Sequence, residues 1–441
     1  MGGEMKPVVI IGGGPAGIAS AVHLARRGVE TVLIERSARL SGRAASFLYA
    51  KMDEEIDYGQ HVLMRCCTHS IDLLRLLGQG DSVSFQKSLR VPMRSETRTD
   101  EIASRPLPGA LHLLPSLLTY RFLSFSERMN AVKAALSLLL RAPDDVSFDE
   151  WLRGQGQGKR EIATLWEPIS VATLNAHAGD ASARAARVVF KRGFFKHHGA
   201  DIGLFTRPLS HVFSSATSYL EGSGGTVLLE APVSRIIVER GRAVGVETDN
   251  GDVIDAHAII SAVSSPNLVS ILPPDVARDK YFSCLKGLNY APIVNVHLWF
   301  DRSIMNEPFI IAVDSRIQAV FDVSATRRDT KRHHIVISQS AATDWIDAPI
   351  NGIVDLSLAE LGRLLPQARK AELIDSLVIK SRSATFVPSP GTDELRPEPT
   401  APISDLFLAG DYTATGWPAT IEGAVRSGIN AVEALLSTTT R

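Results

Sequence analysis

Cysteine is scarce in this sequence. The 441 residues include three cysteines, Cys66, Cys67 and Cys284, and no CxxC pair. An odd count without metal-type spacing argues against a disulfide framework and a zinc site, and it indicates reduced thiols in a reducing compartment. We therefore predict no metal site. The N-terminus has no charged-then-apolar signal pattern, so the sequence predicts a cytoplasmic chain.

An excess of charge of either sign is also missing. The formal net charge is −1, which gives no reason to expect a nucleic-acid partner, because such proteins usually carry a strongly basic face. No uninterrupted run of about 18 apolar residues occurs, so a transmembrane helix is not expected. With 45% apolar and 22% charged residues, a chain of this length is typical of a globular protein with two domains.

The clearest motif lies in the first forty residues. An apolar, β-branched strand is followed by glycines in GxGxxG spacing, a helical pattern, a second apolar strand and an acid, Glu35. The glycines allow a tight turn that brings backbone amides to a pyrophosphate, and the acid accepts hydrogen bonds from a ribose diol. Because all parts fall in register, the pattern predicts a dinucleotide site. Its predicted contacts are Gly12, Gly14, Pro15, Ala16, Gly17, Glu35 and Arg36.

The rest of the chain favours FAD over NAD as the dinucleotide. Arg43 follows the second strand closely enough to reach the same pyrophosphate. A further apolar strand, 406–409, ends at Gly410 and Asp411, where the acid could accept a hydrogen bond from a ribityl hydroxyl. The sequence contains no second strand–GxGxxG–helix unit for a nicotinamide cofactor. We therefore predict a flavoprotein with FAD as its cofactor.

The stretch 411–428, DYTATGWPATIEGAVRSG, predicts the flavin end of the site. A helix beginning near Thr420 would direct its free amides at the N1–C2=O edge of the flavin, which is negative when reduced. Its many small residues predict close approach to the cofactor and to the first βαβ unit, although tight helix–sheet packing alone would also require them. The remaining predicted cofactor contacts are Gly42, Arg43, Gly59, Gln60, His61, Val233, Gly410, Asp411, Ala419, Thr420 and Ile421.

Together these motifs resemble the FAD-dependent amine oxidase and phytoene desaturase superfamily. Three stretches resemble more narrowly the hydroxysqualene dehydroxylases, also called squalene-associated FAD-dependent desaturases: IDYGQHVL (56–63), WEPISVATLN (166–175) and TGWPATIEGAVRSG (415–428). The resemblance spans the whole chain, although Ser41 stands where many relatives have the first glycine of Gly-Gly-Arg. It implies an α/β fold, with a Rossmann-type FAD-binding domain and an inserted mixed α+β substrate domain.

The resemblance and the apolar patterns together predict how the two domains share the chain. The FAD domain is expected to be discontinuous, with residues 1–85, 205–265 and 395–441. The substrate domain is expected to comprise residues 86–204, mainly helical, and 266–394, with strands and a helix.

Segment 106–141 is rich in leucine and aromatic residues but is interrupted by prolines and arginines. One interpretation is a helical hairpin packed into the substrate domain. The other is a monotopic patch that dips into a bilayer and admits a lipid-soluble substrate. If the family assignment holds, a long, water-insoluble isoprenoid substrate favours the second interpretation. The protein would then lie peripherally on the inner face of the cell membrane.

The resemblance also implies a reaction, the reductive removal of the allylic hydroxyl of hydroxysqualene to give squalene. An acid would help the C–OH bond ionise, reduced FAD would supply hydride, and an external reductant would recharge the flavin. Trp417 is our candidate for an aromatic face that tolerates a passing cation, or else a core tryptophan. Glu167 is our candidate acid if burial raises its pKa, or else an ordinary surface glutamate. The adjacent His333 and His334 lack metal-site spacing and are expected to be solvated.

Three alternatives stay open at the level of the sequence. A phytoene-type desaturase would run the opposite redox direction on a carotenoid precursor. Amine or porphyrinogen oxidation uses the same scaffold, but no stretch resembles an aromatic cage for an amine. A non-catalytic prenyl-binding module of the GDP-dissociation-inhibitor type is the third. It is disfavoured because Glu35, Arg43 and Asp411 are all competent for FAD.

Overall fold

The computed structural model of the protein describes residues 6–327 and 330–439. The outer ends of the predicted FAD domain, residues 1–5 and 440–441, lie outside the described residues. The strands, numbered in chain order, are β1 Val8–Ile11, β2 Thr31–Ile34, β3 Ser46–Tyr49, β4 Glu54–Asp57, β5 Val62–Met64, β6 Val83–Phe85, β7 Arg90–Arg94, β8 Thr99–Ala103, β9 Ile202–Phe205, β10 Thr226–Leu228, β11 Val233–Glu239, β12 Arg242–Thr248, β13 Val253–Asp255, β14 Ala258–Ser261, β15 Tyr290–Phe300, β16 Phe309–Ala312, β17 Ala319–Asp322, β18 His333–Gln339, β19 Leu373–Phe386 and β20 Leu406–Leu408.

Helices lie between these strands, and several are only one turn long. The α-helices are α1 Pro15–Ala25, α2 Thr68–Leu76, α3 Leu114–Thr119, α4 Phe125–Leu140, α5 Phe148–Gly154, α6 Lys159–Glu161, α7 Glu167–Leu174, α8 Ala183–Val189, α9 Leu209–Glu221, α10 Ser265–Ile271, α11 Pro274–Ala277, α12 Lys280–Ser283, α13 Val323–Thr326, α14 Thr343–Ile346, α15 Ile350–Leu364, α16 Thr392–Leu395 and α17 Ile421–Thr439. Short 3₁₀ turns occur at Gly109–Leu113, Cys284–Gly287 and Pro366–Lys370, and π-helical turns at Ile162–Trp166 and Phe190–Phe194.

A five-stranded parallel sheet collects strands from distant parts of the chain, in the order β10-β2-β1-β14-β20. The residues of β1 and β14 are buried throughout, as expected when both faces of a parallel sheet are covered. Apolar side chains of α1, α9 and α17 pack into one core with this sheet. The predicted α/β class is confirmed.

A seven-stranded sheet forms the second large layer, in the order β19-β15-β18-β17-β16-β7-β8. Its strands pair antiparallel except for β16 and β7. Strands β7 and β8 come from residues 86–204, which we expected to be mainly helical; helices follow only after β8. Sheet membership does not fix where one domain ends, so the predicted domain boundaries stay a prediction.

The C-terminal helix α17 crosses α1 at a glycine. A Cβ on Gly428 would lie 2.2 Å from the carbonyl oxygen of Ala16, well inside contact distance. Ser20 Oγ donates to Ala16 O at 3.0 Å and lies 3.2 Å from Gly428 O. At this position the small residue is explained by helix packing, and that packing fixes α17 against the helix that begins at the GxGxxG loop.

Segment 106–141 folds as a 3₁₀ turn followed by α3 and α4, and it is both packed and exposed. Tyr120, Phe122 and Leu138 are buried in a core shared with other substrate-domain helices. Six of the twelve large apolar side chains exposed on the described residues nevertheless belong to it: Leu107, Leu111, Leu118, Phe125, Leu136 and Leu140. None of the helices in the described part of the chain has the length and apolar character that a membrane crossing requires.

Candidate functional site

The glycine loop between β1 and α1 has the geometry of a phosphate-binding turn. Helix α1 begins at Pro15, directly after Gly14, so its first amides are free to bind an anion. A Cβ on Gly17 would lie 1.9 Å from Gly12 O. A larger residue there would push the helix off the turn, which is the role the sequence pattern predicts for this glycine.

The carboxylate of Glu35 is held against this loop. Glu35 is 7% exposed and accepts hydrogen bonds from the backbone amides of Gly13 at 2.6 Å and Ser37 at 2.9 Å. Ala231 N donates to Glu35 O at 3.0 Å, which brings the start of β11, at Val233, close to the acid. The neighbouring Arg36 is exposed. These residues therefore meet at one end of the parallel sheet.

A second anchor joins the loop after β2 to the end of β20. Arg43 Nη2 donates to Asp411 Oδ1 at 2.6 Å, and Arg43 Nη1 donates to Ala384 O at 2.8 Å. Ser41 N donates to Gly13 O at 2.9 Å, so the segment of Gly42 and Arg43 lies beside the glycine loop. Asp411 is buried with a side chain 6% exposed, whereas the Arg43 side chain is 47% exposed.

The N-terminus of α17 lies close to the Gly410–Asp411 corner. Gly410 N donates to Ser427 Oγ at 2.7 Å, which ties the end of β20 to the helix. The helix begins at Ile421, after Ala419, and Thr420 Oγ1 accepts from Gly423 N at 3.1 Å as a helix cap. The predicted helix start near Thr420 is confirmed.

Trp417 precedes this helix and is buried, at 7% exposure. The guanidinium carbons of Arg192 and Arg426 lie 5.1 and 4.9 Å from the centroid of its ring. Arg396 Nη2 donates to Trp417 O at 2.8 Å. In this arrangement the ring already interacts with two cations of the protein. A direct role of Trp417 in catalysis stays a prediction.

The segment between β4 and β5 contains Gly59, Gln60 and His61 and lies next to the seven-stranded sheet. Gly59 packs directly against the side-chain amide of Asn295 in β15. His61 Nδ1 lies 2.8 Å from Gly59 O, and burial lowers the pKa of His61, so the ring is neutral. The nearby charges of Asp57 and Arg43 act on it in opposite directions. The segment therefore lies between the Arg43 anchor and β15.

Glu167, our candidate acid, begins α7 and is paired. Its carboxylate binds His177 Nδ1 at 2.5 Å and accepts from Ala178 N at 2.8 Å. The hydrogen bond to Glu167 raises the pKa of His177. The Glu167 side chain is 27% exposed, so the deep burial on which our assignment depended is not found. Its catalytic role stays a prediction.

The motif that contains Glu167 ends at Asn175, which has a structural role. Asn175 adopts a left-handed conformation, φ 50°, that terminates α7. Its Nδ2 donates to Ala291 O at 3.2 Å and Thr385 Oγ1 at 2.9 Å, and its Oδ1 accepts from Ala341 N at 2.6 Å. One side chain thus joins the helical insert to the large sheet.

Sequence reasoning missed a group of polar residues on the large sheet. Asn295, His297 and Trp299 occupy alternate positions of β15 and are all buried. His334 in β18 stacks on Trp299, with ring centroids 4.4 Å apart. We expected His334 to be solvated, and this is wrong: its exposure is 2%, because strand pairing places it opposite Trp299. The polar residues at alternate positions of VNVHLWF were the available signal.

These residues fit FAD. The glycine loop and Arg43 would hold the pyrophosphate, Glu35 the adenosine ribose, Asp411 the ribityl chain, and the α17 N-terminus the flavin edge. Bound in this way, FAD would supply hydride transfer. The close approaches at Gly17 and Gly428 support the fit, because they hold α1 tightly on the glycine loop and α17 tightly on α1.

Sequence comparisons agree with this geometry. A family model described as flavin containing amine oxidoreductase matches residues 15–436. A 15-cis-phytoene desaturase of Synechococcus elongatus is 26% identical over 98% of this chain and 96% of its own length. A zeta-carotene desaturase of Zea mays is 22% identical over 97% of this chain and 82% of its own length.

Solved structures share the fold. An oxidoreductase from Methanosarcina mazei superimposes with a TM-score of 0.78 at 18% identity, over 97% of this chain and 100% of that one. Cyclohexylamine oxidase from Brevibacterium oxydans gives a TM-score of 0.73 at 18% identity, over 99% of this chain and 100% of that one. At such identities the likeness extends to the fold alone.

Proposed function

Because the chain belongs to the flavin containing amine oxidoreductase family and is an FAD-dependent oxidoreductase, we propose that it acts on a long, apolar isoprenoid. Within that class, we propose that it removes the allylic hydroxyl of hydroxysqualene and yields squalene, a step of hopanoid and triterpene biosynthesis. The broader resemblance drawn from the sequence is confirmed by the family match. The narrower one, to hydroxysqualene dehydroxylases, stays a prediction.

The observation that carries the substrate class is similarity along the whole chain. Relatives named for the desaturation of phytoene and zeta-carotene align over 97–98% of it. Both compounds are long, apolar and unsaturated, as hydroxysqualene is. The structure has no group of histidine, cysteine or acidic residues that could hold a metal among the residues it describes. We propose hydride chemistry at the flavin.

The exposed apolar face of segment 106–141 supports access from a membrane. Phe125, Leu136 and Leu140 of α4 are 73%, 53% and 69% exposed. They lie on one side of the helix, because Leu136 follows Phe125 by about three turns and Leu140 follows Leu136 by about one turn. An interfacial face of this kind would let the protein take an insoluble substrate from a bilayer. We propose peripheral attachment to the inner face of the cell membrane, with an external reductant for the flavin.

A second candidate function is desaturation of a carotenoid precursor. It is favoured by the names of the relatives, among them phytoene desaturases at 25–26% identity. The two candidates differ in redox direction, because a dehydroxylase consumes reduced flavin and a desaturase generates it.

Product analysis tests the choice between them. Purified enzyme is incubated anaerobically with hydroxysqualene and dithionite, and in parallel, oxidised, with phytoene and a quinone acceptor. Squalene detected by mass spectrometry in the first incubation alone supports the proposed function. A conjugated polyene from phytoene, without squalene from hydroxysqualene, supports the second candidate and overturns the first.

A further inference from the structure

Three buried titratable residues form a row from β4 to the seven-stranded sheet. None of them is among the residues that we assigned above to the FAD site. This row consists of Glu54, His334 and His297, with exposures of 4%, 2% and 2%. His297 Nδ1 lies 3.0 Å from His334 Nε2, a hydrogen bond between the two rings. His334 Nδ1 lies 3.9 Å from Glu54 Oε2. This last distance exceeds a hydrogen bond, as is common for catalytic groups before substrate binds.

His297, at one end of this row, has a ring nitrogen that forms no hydrogen bond with the described part of the chain. Among the residues that the structure describes, His297 Nε2 is buried and has no hydrogen-bond partner, and the same holds for Asn295 Oδ1. The two residues share one face of β15, since they are two positions apart. Asn295 packs against Gly59, next to the segment assigned to the flavin. Leaving a buried polar atom unpaired costs about 1–3 kcal/mol, so these two atoms are suited to bind a polar group of a ligand.

Glu54, at the other end of the row, lies close to the protein surface. Glu54 Oε2 accepts from Trp299 Nε1 at 3.0 Å, and Glu54 Oε1 accepts from Lys331 N at 2.8 Å. The side chain of Lys331 is 59% exposed. Lys331 also lines a cleft of about 1510 Å³, together with Ser324 and His333. The carboxylate therefore lies between bulk water and the pair of imidazoles.

Both imidazoles are neutral. Burial lowers the pKa of His297 to about 3, and it lowers the pKa of His334 well below the usual value; the positive charge of Arg327 acts in the same direction. A neutral imidazole carries one N–H and one acceptor nitrogen. If His334 Nε2 donates to His297 Nδ1, the remaining proton of His297 is on Nε2, the atom without a partner. That tautomer presents a proton donor on the face of β15 that carries Asn295 and packs against Gly59.

We propose that Glu54, His334 and His297 form a proton relay, and that His297 Nε2 donates its proton to the hydroxyl oxygen of the substrate. This inference deepens, and rests on, the function proposed above. It assigns the acid that the reaction requires to β15 rather than to Glu167.

A proton from water in the cleft first joins the Glu54 carboxylate. In one concerted transfer, this proton moves to Nδ1 of His334, the Nε2 proton of His334 moves to Nδ1 of His297, and the Nε2 proton of His297 moves to the hydroxyl oxygen as the allylic C–O bond breaks. Water then leaves, an allylic cation remains, Glu54 is again a carboxylate, and neither imidazole becomes an anion. A hydride that reduced FAD supplies when bound forms the new C–H bond, and a two-electron donor such as dithionite reduces the cofactor again.

Leaving-group chemistry gives the test. Hydroxysqualene needs its oxygen protonated, whereas the corresponding acetate ester departs as acetate without that proton. In single turnovers of the photoreduced enzyme, His297→Gln should slow reaction of the alcohol by about 10²–10⁴-fold, the usual worth of a general acid. The same variant should change the rate with the ester by less than about tenfold. His257→Gln, at an exposed histidine, is the control and should leave both rates unchanged.

The outcomes separate the two proposals. If wild-type enzyme turns over neither the alcohol nor the ester, the proposed function is wrong, and the relay is wrong with it. If wild type turns over both, and His297→Gln loses both equally or neither, the relay is wrong and the function stands. A selective loss with the alcohol, reproduced in smaller measure by His334→Gln, supports the relay.

A measurement without turnover checks the protonation state. In protein labelled with ¹⁵N-histidine, the resonances of His297 and His334 are assigned from the two glutamine variants. Both rings should be neutral at pH 6, and His334→Gln should change the tautomer of His297. A positively charged His297 at pH 6, or a tautomer indifferent to His334→Gln, would overturn the proposal.

Discussion

Arg43 and Asp411 form a hydrogen-bonded ion pair of 2.6 Å across 368 residues of sequence. The pair joins the loop after β2 to the end of β20, and so brings the two halves of the FAD site together. Asp411 is nearly buried and Arg43 is half exposed, so the pair fixes the guanidinium and leaves part of it open to a pyrophosphate.

Removing this guanidinium should weaken FAD binding. Losing a charge-assisted hydrogen bond costs about 1.5–3 kcal/mol, which corresponds to roughly ten- to a hundredfold in affinity. We expect Arg43→Ala to raise the FAD dissociation constant by that factor, measured by quenching of flavin fluorescence. Arg27→Ala is the matched control, because Arg27 pairs with Glu433 on the surface. Equal affinities of the Arg43 variant and wild type would place the pyrophosphate elsewhere.

The crossing of α1 and α17 should not tolerate a methyl group. Gly428→Ala places a Cβ 2.2 Å from Ala16 O, and overpacking of this kind costs about 1–3 kcal/mol. Urea unfolding should show a lower free energy of unfolding. Gly352→Ala in α15 meets open space and should be neutral or stabilising by up to about 1 kcal/mol. Unchanged stability of Gly428→Ala would mean that the two helices are farther apart than described.

The exposed face of α4 should determine membrane binding. We expect Phe125→Ser, Leu136→Ser and Leu140→Ser together to lower partitioning onto liposomes by about tenfold or more, since each apolar side chain contributes up to about 1.5–3 kcal/mol on burial. The control carries Val253→Ser and Ile350→Ser, two exposed apolar residues in other regions. Cosedimentation measures the bound fraction. The monotopic interpretation would be wrong if both variants lost liposome binding equally, or if the wild type did not bind.

The pair of Glu167 and His177 should add stability on the acid side. The pKa of His177 is raised, chiefly by its hydrogen bond to Glu167. Its contribution is therefore fully present below the unfolded pKa of about 6.5, and is lost as pH rises through the folded pKa. Because both side chains are partly exposed, the effect should stay below about 1 kcal/mol.

An NMR titration checks this pair directly. His177 should titrate above pH 6.5 in wild type and at a lower pH in Glu167→Gln, while Glu150→Gln, at an exposed glutamate of α5, leaves it unchanged. A His177 pKa that is insensitive to Glu167→Gln would mean that the two side chains are apart in solution.

Local patterns allowed much of this site to be predicted. The glycine loop, Glu35 and the helix start near Thr420 each depend on a few consecutive residues, and the structure has those elements where they were expected. The strand before Arg43 and the strand before Asp411 each allowed one of these residues to be predicted. Their contact with each other depends on the order of strands in the sheet, which neither segment shows. The fold class followed because strand, turn and helix in register leave few alternatives.

It was harder to predict which face of a strand is buried once the strands pair. The apolar run in HHIVISQ is typical of a strand, yet which face of it is buried depends on its pairing with β15. The stacking of His334 on Trp299 follows from that pairing. Strand β7 contains a proline and two arginines, so its composition does not indicate a strand. It forms because it pairs antiparallel with β8 along its whole length and parallel with β16 at its end.

Stopped-flow absorbance under anaerobic conditions tests the central claim, the redox direction, most directly. Photoreduced enzyme mixed with hydroxysqualene should regain the oxidised flavin spectrum within turnover time and yield squalene, with deuterium from flavin N5 at the former carbinol carbon or its allylic partner. Oxidised enzyme should keep its spectrum when mixed with phytoene or squalene. If phytoene or squalene instead bleaches the oxidised flavin, and hydroxysqualene leaves the reduced form untouched, the enzyme is a desaturase and the proposed dehydroxylation is contradicted.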